Sequence, residues 1–183
     1  MPRAEPIVHL AFAVPKGNRA DWLVEKATEL GAASLRPTIF QRSVAAKEGL
    51  SPARRDRWRA RCVAAAKQSG QSLLPTVEDT GSLEEVLARA CGSLVLVGDV
   101  TESAEPLAQA LARRYAGQPV LLVVGPEGGL TDGERGSLRA AGATWVRLGR
   151  SVLRIETAAV ALLAAVLAVS EAAIPSTDNH RSH

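Results

Sequence analysis

One carboxylate, Glu127, stands among Gly125, Pro126, Gly128 and Gly129 in the stretch VLLVVGPEGGLTDGE, directly after the apolar run Val120 to Val124. Glycines there let backbone N–H and C=O groups approach a ligand that a Cβ would hold off. Neither GxxxxGK[ST] nor GxGxxG is present. Glu127 would repel a polyphosphate and favour hydroxyls, amines or a cationic centre. The loop therefore suits a nucleoside-like or positively charged small molecule, with a ligand-free connecting turn as the alternative. A second constellation, LGRSVLRIETAAVALLAAVLAV, runs from Leu148 to Val169 and places Gly149, Arg150 and Arg154 just ahead of Glu156 and Thr157. Arg154 either pairs with an acid such as Glu156 or faces an anion or a reacting group. In SPARRDRWRARCVAAAKQSGQS, Arg54, Arg55, Arg57, Arg59 and Arg61 crowd one short segment against a single Asp56. Cations in the first turns of a helix oppose its dipole by about 0.3–1 kcal/mol each. An external anion is one reading of this cluster and a solvated arginine-rich face is the other.

The elements that must carry these groups alternate between apolar β-type runs and helical patterns, which predicts an α/β fold with a mostly parallel sheet flanked by helices. Strands are expected over Ile7–Val14, Leu35–Phe40, Leu94–Gly98, Val120–Val124 and Thr144–Leu148. Helices are expected over Arg19–Leu30 after an Asn18 cap, from Ser51 and Pro52 to Gln68, and over Leu83–Ala90, Ala104–Arg114, Asp132–Ala141 and Glu156–Glu171. Thr131 and Glu134 form a capping-box pattern, so the glycine loop joins a buried strand to a helix. Loops beyond the carboxyl ends of strands form the ligand crevice of open α/β sheets. From Ala158 to Val169 the last helix has no polar residue. It must be covered by its own sheet and by a second copy of itself, which predicts a homodimer.

The 183 residues allow one sizeable core. A hydrophobic fraction of 46% with 3% aromatics means a core of Ala, Leu and Val. No run reaches the roughly 18 apolar residues of a membrane span and MPRAEPIVHL lacks the features of a signal peptide, so a cytoplasmic location is expected. Cys62 and Cys91 lack CxxC spacing and are expected to be reduced thiols. His9 is isolated among apolar residues, while His180 and His183 lie in the polar tail PSTDNHRSH, so no metal site is expected. One domain over residues 1–174 and a disordered tail over 175–183 follow from this pattern. The net charge of +3 does not by itself argue for a nucleic-acid partner.

Five segments, in order, resemble the RsmE family of 16S ribosomal RNA uridine-N3 methyltransferases in the SPOUT (α/β-knot) superfamily. They are PKGNRADWLVEKATELGA, QRSV, AAKQSGQSLLP, VVGPEGGLTDGE and LGRSVLRIETAAV, which run from Pro15 to Val160, and the resemblance as a whole extends from about Pro15 to Val169. The resemblance implies a C-terminal trefoil knot and S-adenosylmethionine bound in its loops at a dimer interface. Carried over by position, the cofactor would lie against Val124, Gly125, Pro126, Glu127 and Gly128, and against Leu148, Gly149, Ser151, Val152 and Leu153, with Val97 completing the adenine pocket. It also implies Arg154 as the catalytic residue that stabilises a uracil anion, and Arg42, Arg54, Arg55, Arg57 and Arg61 as contacts to 16S ribosomal RNA in the small subunit. No metal is required. Members of the family begin with a small PUA-like barrel; about fourteen residues precede the first matching block, so that domain is expected to be absent. The competing functions are a catalytically idle RNA-binding or ribosome-assembly protein, and a SPOUT methyltransferase acting on another RNA.

Overall fold

The computed structural model describes residues 6–44, 49–101 and 103–173. The expected tail over 175–183, with His180 and His183, lies outside them. The chain runs β1 (Val8–Ala13), α1 (Arg19–Glu29), β2 (Ser34–Ile39), α2 (Pro52–Ser69), β3 (Thr76–Val77), β4 (Gly81–Ser82) and α3 (Leu83–Ala88). It continues with β5 (Leu94–Gly98), β6 (Glu105–Pro106), α4 (Leu107–Arg114), β7 (Val120–Val124), α5 (Asp132–Ala140), β8 (Thr144–Arg147) and α6 (Ile155–Ala173). The strands form one sheet in the order β3-β2-β1-β7-β5-β8-β6, with β4 also on β2. Every pairing among the described strands is parallel. A sheet covered on both faces needs near-continuous apolar strands, and β7 is buried at all its positions.

The predicted strands and helices all form, with boundary shifts that have local causes. Asn18 sits at the N-cap position of α1, but its backbone is already helical and its side chain makes no capping bond. The predicted helix from Ala104 begins only at Leu107, because Glu105 and Pro106 pair with β8 instead. β8 stops at Arg147, one residue short of the predicted Leu148, and α6 starts one residue early at Ile155. Ser51 caps α2 and Pro52 follows it, as read. β3, β4 and β6 have two residues each, too few to show a period.

One core holds the two faces together. α6 packs on β1, β7, α1 and α4, burying Ile155, Ala159, Leu162, Leu163 and Val166 at helical spacing. Its other side is half-covered at Val160, Ala161 and Ala164 and open at Thr157 and Ala168. No described helix is long and apolar enough to cross a membrane. Cys62 is buried and Cys91 exposed, and both are free thiols.

Candidate functional site

β5, β7 and β8 are neighbours whose carboxyl ends open on one side of the sheet, with Gly98 in register with Val124 on one flank and Val146 on the other. The loops leaving these strands surround a hollow of about 220 Å³. Of the residues read from sequence, Val124, Gly125, Pro126 and Glu127 line it from the glycine loop, and Leu148, Gly149, Ser151, Val152 and Leu153 line it from the loop after β8. Two segments that are separate motifs in sequence thus form two walls of one hollow. Val97 is fully buried one residue short of the hollow, and the β5 end meets it with Gly98, Asp99 and Val100 instead. Gly128 lies behind the loop, where its carbonyl accepts from Arg42 Nη1 at 3.0 Å. Ile155, Ala158 and Leu162 of α6 give the hollow an apolar side.

The glycine loop has a defined shape. Gly129 N donates to Pro126 O at 2.9 Å, closing a turn, and Gly129 takes φ +73°, which side-chain-bearing residues avoid. At Gly128 a Cβ would stand 3.2 Å from Arg42 Cβ, so the loop and the segment after β2 lie backbone to side chain. Glu134, only 5% exposed, fixes this junction. One of its oxygens accepts from Thr131 N at 2.7 Å, completing the capping box, and the other accepts from Gln41 N at 2.8 Å.

Charge around the hollow is largely paired. Glu127 is half-exposed and lies 3.1 Å from Arg19 Nη1, so part of its charge is met by the protein's own cation. Asp99 accepts from Val100 N at 2.7 Å and from Arg135 Nη1 at 2.9 Å, and both acid and base face the hollow. Glu156 is turned toward Arg19 at 3.6 Å, and no ion pair joins it to Arg154 among the described residues. Arg154 is exposed between Leu153 and Ile155, which line the hollow while it does not. Its carbonyl accepts from Ala158 N at 2.8 Å and starts α6. Among the described residues no group of three or more His, Cys, Asp or Glu is placed to hold a metal ion.

The arginines of α2 are less isolated than Asp56 alone suggested. Arg57 lies 3.2 Å from Asp21, Arg61 2.8 Å from Glu25, Arg59 3.5 Å from Asp56, and Arg55 pairs with Asp79. Asp21 also accepts from Trp58 Nε1 at 2.8 Å. The Arg54 guanidinium stacks 5.3 Å from the centre of the Trp58 ring, and burial draws its pKa below the ordinary arginine value. Lys26, and then Arg61, hold the Glu25 carboxyl below its usual range. Arg57 and Arg59 keep more than half of their side-chain surface open to solvent. Sequence reasoning missed Asp99, Arg135 and Arg19; their partners stand far away in the chain, and no local pattern signals such pairs.

The sequence matches the RNA methyltransferase domain over residues 3–167. It is 39% identical over 175 residues to the ribosomal RNA small subunit methyltransferase E of Mycobacterium bovis, covering 91% of this chain and 64% of that protein. It is 32% identical over 165 residues to the Bacillus subtilis protein of the same name, covering 87% of this chain and 64% of that one. The chain thus spans a little under two thirds of the length of these relatives. Among solved structures, that of a ribosomal RNA small subunit methyltransferase E from Neisseria gonorrhoeae bound to S-adenosyl methionine superposes with a TM-score of 0.77 at 28% identity, over 90% of this chain and 67% of that one. With the match running through all three loops of the hollow, the chain belongs to the RNA methyltransferase domain family.

Proposed function

We propose that this chain transfers a methyl group from S-adenosylmethionine to N3 of a uridine in 16S ribosomal RNA of the small subunit. The observation that carries the reading is the meeting of the GPEGGL and LGRSVL segments at one hollow on the carboxyl ends of β5, β7 and β8. The Neisseria gonorrhoeae protein with the same fold is bound to S-adenosyl methionine.

The residues present fit that nucleoside. Backbone is accessible at Gly98, Gly125 and Gly149, carboxylates stand at Glu127 and Asp99, and Leu148, Val152, Leu153 and Leu162 offer apolar faces for a flat base. On this reading Val124, Gly125, Pro126, Glu127, Leu148, Gly149, Ser151, Val152 and Leu153 hold the cofactor, while Val97 and Gly128 back the wall from behind. When bound, S-adenosylmethionine supplies an electrophilic methyl group. Uracil N3 has no useful lone pair until its proton passes to water or a basic group, and Arg154, beside the hollow and without an ion-pair partner among the described residues, stabilises the resulting anion by donating to O2 or O4. The hollow's remaining task is to hold N3 in line with the methyl carbon.

The exposed guanidinium of Arg57, with Arg54, Arg55, Arg61 and the loop-bound Arg42, meets RNA phosphates on this reading. The half-covered band of α6 and the exposed apolar Val100, Leu148, Val152 and Leu153 at the rim receive a second copy of the chain. The threading of the C-terminal segment into a trefoil knot and a cytoplasmic location belong to the same proposal. The test is methyl incorporation from labelled S-adenosylmethionine into small subunits lacking the modification, with the product nucleotide mapped by mass spectrometry. Transfer to uridine N3 is expected, and Arg154→Ala lowers it by about 100-fold or more with cofactor binding kept. RNA binding without transfer, or a methyl group on another atom, overturns the reading.

A further inference from the structure

Arg19 opens α1, at the positive end of the helix dipole, where a cation is disfavoured. What holds it there is a pair of acids from two other parts of the chain. Its Nη1 lies 3.1 Å from Glu127 Oε1 and 3.6 Å from Glu156 Oε1, while its Nε donates to Lys16 O at 3.3 Å. Glu127 belongs to the glycine loop after β7, and Glu156 to the first turn of α6 after β8. The two walls of the hollow therefore share one guanidinium. The Glu156 side chain is 9% exposed, and its Oε2 has no hydrogen-bond partner among the described residues. A carboxylate so deeply placed repels a second one nearby unless a cation stands between them.

We propose that Arg19 is a positioning residue for the cofactor hollow, drawing the Glu127 loop and the start of α6 together so that the two walls keep their spacing. This rests on the function proposed above. Arg19 is absent from the lining of the hollow, so its effect passes through Glu127 and through Ile155, both of which line it. Without Arg19 the two carboxylates face one another unscreened, and the walls part. A simple screen of the Glu127 charge is a different role with the opposite signature, because removing Arg19 would then favour a cationic ligand.

Calorimetric titration of S-adenosylmethionine and of the uncharged thioether S-adenosylhomocysteine into the wild-type protein, Arg19→Gln and Arg19→Lys separates these roles. Amide hydrogen exchange on the same proteins adds a readout that does not depend on binding. Arg19→Gln is expected to weaken both ligands by about tenfold and by the same factor, and Arg19→Lys to stay within about threefold of wild type. Exchange is expected to quicken in the glycine loop and the first turn of α6 and to stay unchanged in β1 and β2. Unchanged affinity and exchange in Arg19→Gln overturn the proposal. So does tighter binding of the sulfonium relative to the thioether, or faster exchange spread evenly over the sheet. If the wild-type protein binds neither nucleoside, the function proposed above is what fails, and the exchange comparison still decides the role of Arg19.

Discussion

Replacing Glu134 by alanine removes one buried carboxylate that three donors use. Its Oε2 accepts from Thr131 N at 2.7 Å and Thr131 Oγ1 at 3.0 Å, and its Oε1 from Gln41 N at 2.8 Å. Loss of the reciprocal half of the capping box costs about 1 kcal/mol. Each backbone N–H left without its acceptor in a buried place costs about 1–3 kcal/mol more, less where water can enter. The terms overlap, so we expect about 3 kcal/mol in all. For a chain of this length each kcal/mol moves Tm by about 2–4 °C, which predicts a fall of roughly 6–12 °C, read by circular dichroism on heating. Because Gln41 adjoins Arg42, which holds the Gly128 carbonyl, the same variant should also weaken nucleoside binding. Glu134→Gln keeps one carbonyl acceptor and should lose about half as much stability. A loss below about 0.5 kcal/mol in Glu134→Ala, the range of ordinary surface changes, would refute the idea that this carboxylate joins the two loops.

Gly98→Ala would set a Cβ 2.7 Å from Leu162 Cδ1, in a side chain that is 3% exposed and cannot easily give way; a loss of about 1–3 kcal/mol in denaturant unfolding is expected, partly recovered in combination with Leu162→Ala. Burial raises the Cys62 thiol pKa, whereas Cys91 is exposed; a disulfide reagent at pH 8 should therefore titrate one thiol in the folded protein and two after unfolding, and two fast thiols in the native state would contradict the packing of α2. Arg57→Ala should weaken RNA binding and shallow its dependence on salt by roughly 0.7–0.9 in the logarithmic slope, measured by filter binding across salt concentrations.

The centre of the sheet was legible because β5 and β7 are short, unbroken runs of Val and Leu bounded by turn residues, and the helices around them announce their ends at Pro52, Thr131 and Gly31. β6 was not, because Glu105 and Pro106 become a strand only through the neighbouring β8. The two glycine segments could be singled out since each leaves a strand and enters a helix, a place where glycine has a reason to be. Val97 came from the family resemblance, by position alone, and successive strand residues point to opposite faces. Gly98, facing Leu162 of α6, is the one that meets the hollow. Pairs such as Arg135 with Asp99, and the sharing of Arg19 by Glu127 and Glu156, arise only when loops from different strands converge. The α2 arginines show the same limit: Asp56 is their neighbour in sequence, while Asp21 and Glu25 are brought by α1.

A crystal structure of the protein grown with S-adenosylmethionine would locate the methyl donor. One nucleoside per chain is expected, against Gly125–Glu127 on one side and Leu148–Leu153 on the other, with its methyl group open toward Arg154. Density for the nucleoside elsewhere, or a hollow that stays empty at saturating ligand, would contradict that placement.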